Sequence, residues 1–250
     1  MYSYGFVVAK GGVGKTSIAT NTAAELSRHG KTVLIDTDPQ GNGTGYLYPQ
    51  EEFPAELVDV LEDRATVADA IVQLESGLFV LPTKPNSRLK LFGETRLTEQ
   101  PFIFQQLAEI LRDDFQFDYL VWDMGPGLNQ LERAVLLAVD EVITPILPEE
   151  FSFDGVGTFR QELEKIQKNF KVAIKYQHVA INQINNSYNI HKAYIDELKQ
   201  VNGYTFHPFP QDVRLKESQR QHKPLADYDR NSKFALATTM MVENLIGGRK

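Results

Sequence analysis

Short apolar runs alternate with amphipathic stretches along nearly the whole chain. Residues 4–9 (YGFVVA), 32–36 (TVLID), 78–81 (LFVL), 119–123 (YLVWD), 141–146 (EVITPI), 172–181 and 204–209 are brief and rich in β-branched and aromatic residues. Such runs predict buried strands. Residues 15–29 put Ile18, Ala19, Thr22, Ala23 and Leu26 on one helical face, and Gly30 supplies a C-terminal stop. Helical spacing recurs near 67–74, 102–113, 130–139, 155–169, 190–201, 213–221 and 232–246. Strands spaced by helices predict an α/β fold, a mostly parallel twisted sheet with helices on both faces. Residues 39–54 are Gly- and Pro-rich and read as a long surface loop, a kind often functional in compact α/β domains. No linker divides the chain, so a single domain over 1–250 is expected.

Composition narrows the function classes. The chain has no cysteine, which excludes disulfides, thiolate zinc sites and self-supplied iron–sulfur ligands. No apolar run approaches the length of a membrane span, and no secretory signal is visible, so a cytoplasmic location is expected. Net charge is −7, but it is unevenly spread. Residues 1–154 carry 11 basic and 24 acidic groups, whereas residues 155–250 carry 15 and 9. The last third is a candidate basic face on an acidic body, although on composition alone a solvated surface of uneven charge is the favoured reading.

The first strand leads into VVAKGGVGKTS, and a helix follows. Glycines let backbone N–H groups curl around an anion, and the helix N-terminus adds its dipole. Gly11, Gly12, Val13, Gly14, Lys15, Thr16 and Ser17 are therefore candidate phosphate contacts, with Lys15 reaching the β/γ phosphates and the Thr16 hydroxyl joining a Mg²⁺ shell. Ala9 stands where the strict P-loop pattern has its first glycine, but the strand–loop–helix context is intact. Lys10 is a second lysine that phosphate binding alone does not require.

A P-loop needs carboxylates for its metal, and two strand ends offer them. Asp123 follows an apolar run and precedes Met124-Gly125-Pro126-Gly127, the place where open α/β sheets put ligands. Gly125 and Gly127 would let the loop after it move with the γ-phosphate. Asp36 ends the strand TVLID and Asp38 opens the loop before Pro39. Either aspartate also suits a plain turn. An Asp-x-Asp at a strand end in a chain with a P-loop points to the phosphates.

These motifs carry a specific resemblance. Lys10-Gly-Gly-Val-Gly-Lys15-Thr16 resembles the deviant Walker A motif of the ParA/MinD group of P-loop ATPases, and Asp36-Thr-Asp38-Pro-Gln-Gly-Asn42 resembles switch I of ParA/Soj-type partition ATPases. Residues 66–71 and 78–82, 138–145 and 148–155, and 210–217 and 222–226 resemble further family segments, so the likeness runs nearly the full length. Gly125-Pro126-Gly127 departs from the family's paired prolines. The resemblance implies an ATPase of slow basal rate with ATP and Mg²⁺ as cofactors. It implies Lys10 reaching the nucleotide of the partner in an ATP-bound homodimer, Lys15 and Thr16 on phosphate and Mg²⁺, Asp38 orienting the attacking water, Asp36 in the metal shell and Asp123 in switch II. Asn182, at the end of VAIN, resembles the adenine-reading asparagine of relatives and equally suits a strand-end turn. Residues 209–212, with Pro210 and Asp212, would form the opposite wall of the base pocket.

The resemblance further implies non-specific DNA binding through C-terminal cations, a nucleoid-associated location, and a ParB-like or cargo adaptor that stimulates hydrolysis. Candidate DNA contacts are Lys192, Arg214, Lys216, Arg220 and Lys223. Because the P-loop lies close to residue 1, a preceding helix–turn–helix is not expected. A membrane-bound mode needs a basic amphipathic C-terminal helix, and residues 232–246 are too poor in cations, so no membrane partner is expected. Two other readings stand beside DNA partition: positioning of a non-DNA cargo, and a metabolic ligase on the same scaffold.

Overall fold

The computed structural model describes residues 1–8, 11–48, 53–149, 152–185, 187–198 and 200–248. Among them, strands β1 (Tyr2–Val8), β2 (Thr32–Asp36), β3 (Val72–Gln73), β4 (Phe79–Leu81), β5 (Tyr119–Pro126), β6 (Glu141–Ile146), β7 (Lys175–Ile184) and β8 (Thr205–Pro210) share one sheet. Their order is β3-β4-β2-β5-β1-β6-β7-β8. Every pairing is parallel except β3 with β4.

Side chains alternate between two cores. Val33 and Ile35 face one and Leu34 the other; Leu120 and Trp122 oppose Val121 in the same way. Both faces are covered, which is why the strands read as unbroken apolar runs. The first core gathers α3 (Leu57–Leu61), α4 (Val67–Ala70), α5 (Leu89–Thr95), α6 (Ile103–Asp113), α7 (Gln130–Leu136), α8 (Ser152–Phe170) and the end of α9 (Asn189–Leu198). The second gathers α1 (Lys15–Leu26), α2 (Asn42–Leu47), α11 (Leu225–Tyr228) and α12 (Lys233–Gly247), with α10 (Arg214–Arg220) packed beside α2 and α11. Trp122 anchors the first core: it is fully buried, packs edge-on against Phe104, and donates Nε1–H to Ser3 Oγ at 2.7 Å. Truncating it to alanine would cost about 3–5 kcal/mol.

The predicted α/β architecture holds, with local differences. Residues 67–74 do not form one helix. Thr66 and Asp69 cap a single turn, Ile71 is extended, and Val72–Gln73 pairs antiparallel with β4. Residues 39–54 are not simply a surface loop, because α2 forms within them and buries Thr44, Tyr46 and Leu47. The strand predicted at 172–181 runs from Lys175 to Ile184, because its ladder is set by β6 and β8 rather than by its own apolar run. Among the described residues, no helix is long and apolar enough to cross a membrane.

Candidate functional site

Parallel pairing brings the C-terminal ends of β1, β2 and β5 to one edge of the sheet, and the P-loop rises from the central strand β1. Gly14 caps α1, whose first turn carries no acidic residue. Its orphan N–H groups and positive dipole end are therefore left for an anion. Residues 11–17 line a pocket of about 620 Å³ together with Asp38, Gln40, Asn42, Tyr46, Pro126 and Gln219. Lys10 lies outside the described residues.

Beneath this pocket the charges are buried. Lys15 is 7% exposed and its Nζ lies 2.5 Å from Asp123 Oδ1. Asp36 sits beside Asp123 in the β2–β5 register, and both are fully buried. Asp36 Oδ2 accepts from Thr44 N at 2.7 Å and from Thr44 Oγ1 at 2.8 Å, while its Oδ1 accepts from Asp38 N at 3.2 Å. Burial, reinforced by the Asp123 charge, pushes the Asp36 carboxyl up to about 8. Burial also raises Asp38, against the pull of Lys15.

Lys15 pairs with Asp123 and acts on Asp38, while Asp36 stands against Asp123. Among the described residues, Asp123 Oδ2 is buried without a hydrogen-bond partner. A Cβ on Gly43 would stand 2.8 Å from that oxygen and 3.2 Å from Asp36 Oδ2, so the glycine leaves a cradle open to both acids. The orphaned Asp123 oxygen, with Asp38 and Thr16 at the pocket, supplies hard oxygen donors of the kind a divalent cation takes, while among the described residues no three acidic groups converge on one cation position. Thr16 and Asp38 border the pocket itself, whereas Asp36 and Asp123 lie below it. Mg²⁺ needs only one or two carboxylates beside phosphate and water.

A second pocket of about 780 Å³ adjoins the first. Asn182, Pro210 and Asp212, far apart in sequence, line it together with Lys216, Gln219 and Phe234. Asn182 Nδ2 donates to Val13 O at 2.7 Å, so β7 fastens the P-loop through this side chain. Asp212 accepts from Arg214 N at 3.0 Å and from Phe234 N at 3.4 Å, which orders the turn into α10 and the start of α12.

Several site residues escaped the sequence reading. Glu132 is buried, its Oε2 accepts from Asn129 N at 3.0 Å, and burial raises its carboxyl. The Asn129-x-x-Glu132 spacing of a capping box was its available signal. Thr44, Tyr46 and Gln219 had no local signal, because their roles come from distant partners. Of the candidate DNA contacts, Lys192, Lys216, Arg220 and Lys223 are exposed, and Arg214 pairs with Asp229 at 2.9 Å.

Comparison with known proteins agrees with this geometry. Residues 5–176 match a family model described as an AAA domain. The chain is 30% identical over 234 residues to the chromosome partitioning protein ParA of Myxococcus xanthus, covering 90% of this chain and 80% of that protein. It is 29% identical to the sporulation initiation inhibitor protein Soj of Bacillus subtilis, covering 90% of each. The fold resembles that of a McdA variant from Cyanothece solved as an ATP complex, with a TM-score of 0.84 at 21% identity over 99% of this chain and 96% of that one. The protein therefore belongs to the ParA/MinD family of P-loop ATPases.

Proposed function

We propose that this ATPase forms an ATP-bound homodimer that holds DNA without sequence preference and so partitions or positions plasmid or chromosomal DNA on the nucleoid. A ParB-like or cargo adaptor stimulates hydrolysis and ends each cycle. One observation carries the reading: the pocket of residues 11–17 and Asp38 is also lined by Gln219 of α10, the helix that bears Arg214, Lys216 and Arg220. Nucleotide chemistry and a basic surface thus share one short helix.

In this reading the P-loop amides and Lys15 hold the phosphates. Thr16 and Asp38 would hold Mg²⁺, with Asp36 and Asp123 beneath them. When bound, the cation neutralises the charge that develops between the β- and γ-phosphates. Asp38 orients the attacking water, and Asn182, Pro210 and Asp212 enclose the base. Lys10 of each subunit serves the nucleotide of the other. Phosphoryl transfer of this kind rests on positioning and charge neutralisation, so slow basal turnover follows.

Sizing with ATP and ADP, paired with gel retardation of duplexes of several sequences, tests both parts. A dimer with ATP only, and retardation lost as salt rises, are expected. A monomer under every condition overturns the dimer. A dimer that retards no duplex at low salt overturns the DNA role.

A further inference from the structure

The phosphate pocket and the second pocket touch along a narrow seam. Three residues line both: Gly14, Ser17 and Gln219. In a nucleotide the ribose lies between base and phosphates. A nucleotide with its phosphates on residues 11–17 and its base near Asn182 and Pro210 must therefore lay its ribose across this seam. Of the three seam residues, only Ser17 and Gln219 offer polar side-chain atoms.

Gln219 is poised for that contact. Its Nε2 donates to Ser17 Oγ at 3.1 Å, which fixes the orientation of the carboxamide. The opposite atom, Oε1, accepts no hydrogen bond among the described residues. The backbone behind it is held as well. The neighbouring Ser218 is fully buried, and its hydroxyl lies 2.9 Å from Tyr46 Oη, which also accepts from Asn21 Nδ2 at 3.1 Å. His222 Nδ1, just past the helix, lies 3.0 Å from Gly45 O. Helix α10 is thus tied to α1 and α2, with one carboxamide oxygen left uncommitted at the seam.

We propose that Gln219 is a specificity-determining residue of this ATPase, accepting a hydrogen bond from a ribose hydroxyl and so favouring ribonucleotides over deoxyribonucleotides. It rests on the assignment of the two pockets to phosphates and base. A carboxamide oxygen is an acceptor suited to a ribose O–H donor. A site built to bond a hydroxyl discriminates against the analogue that lacks it, because the acceptor is then left without its partner.

Calorimetric titration of the full chain with Mg-ADP, Mg-2′-deoxy-ADP and Mg-3′-deoxy-ADP tests the proposal. The unmodified protein should bind ADP about tenfold more tightly than at least one deoxy analogue, the size expected for one hydrogen bond lost from a partly buried site. Gln219→Ala should weaken ADP to the level of that analogue while leaving the analogue's affinity nearly unchanged. Gln219→Glu keeps an acceptor at the same reach and should retain the ratio, even if its added charge weakens every ligand. An equal loss for all three nucleotides in Gln219→Ala, as a mere tie between α10 and α1 would give, overturns the proposal, as does no loss at all. Failure of the pocket assignment looks different: Lys15→Ala would then leave ADP binding by the otherwise unmodified protein intact.

Discussion

Lys15 Nζ lies 2.5 Å from Asp123 Oδ1, so the P-loop lysine is held by the carboxylate of the adjacent strand. That ion pair is buried on both sides, and a second carboxylate, Asp36, stands next to Asp123 in the sheet register. The lysine therefore neutralises Asp123 before any phosphate arrives, and Asp36, its carboxyl raised to about 8, stays largely protonated beside it. Lys15→Met should destabilise the nucleotide-free protein by about 3 kcal/mol, because it leaves the buried Asp123 carboxylate without its partner. Asp123→Asn also breaks the pair but relieves the repulsion on Asp36, so it should cost less. Urea unfolding of the two variants decides the order; a larger loss for Asp123→Asn would contradict the charge argument.

Asp38 borders the phosphate pocket, whereas Asp36 and Asp123 lie beneath it. In the proposed role of orienting the attacking water, Asp38 should affect turnover more than binding. Asp38→Ala should lower kcat about 100-fold, the scale of a lost positioning contact. Nucleotide affinity should change by less than tenfold. Steady-state turnover alongside equilibrium titration reads both, and a collapse of binding with unchanged kcat would assign Asp38 elsewhere.

Gly125 and Glu132 interlock where β5 ends. A Cβ at Gly125 would stand 2.5 Å from Glu132 Oε1, and the other oxygen of that carboxylate caps Asn129. The space that a larger residue would need here is filled by a carboxylate. Gly125→Ala should cost about 1–3 kcal/mol by overpacking. In a Glu132→Ala background the same change should cost markedly less, and a double-mutant cycle measures the difference. Additive effects would mean that the two residues do not share this space.

The opposite end of the sheet sets an acid limit on stability. His178 Nδ1 lies 2.9 Å from His207 Nε2, and His178 Nε2 lies 3.3 Å from Glu141 Oε1. Burial, with the neighbouring His178 adding to it, lowers His207 from 6.5 to about 3. The folded state thus binds fewer protons than the unfolded chain between those values. Stability from this group is fully present above pH 6.5 and is lost as pH falls toward 3. At pH 4 the loss should reach about 3 kcal/mol. His207→Gln should flatten the urea midpoint across this window, and an unchanged slope would rule His207 out as its source.

Much of the site was legible because its signals are local. Gly14-Lys15-Thr16 between a strand and a helix, and aspartates at the ends of TVLID and YLVWD, announce themselves through spacing and polarity alone. The edge strand β3 and helix α2 were not legible. Val72 and Gln73 are extended only because β4 offers a partner, and α2 forms where Asp36 accepts from Thr44. Lys10, the most telling residue of the sequence motif, falls outside the described residues.

The sequence by itself determined the fold class and marked the P-loop and the candidate carboxylates, because apolar period, glycine placement and strand-end acids are properties of neighbouring residues. Only the tertiary structure decided which groups meet. Strand β5 lies between β2 and β1, and that order alone sets Asp123 against both Asp36 and Lys15. Asn182 reaches Val13 across 169 positions, and Tyr46 reaches Ser218 across 172. Such contacts depend on how the strands are threaded and which helix covers which face. No local stretch carries that information, since it comes from the burial of the whole sheet.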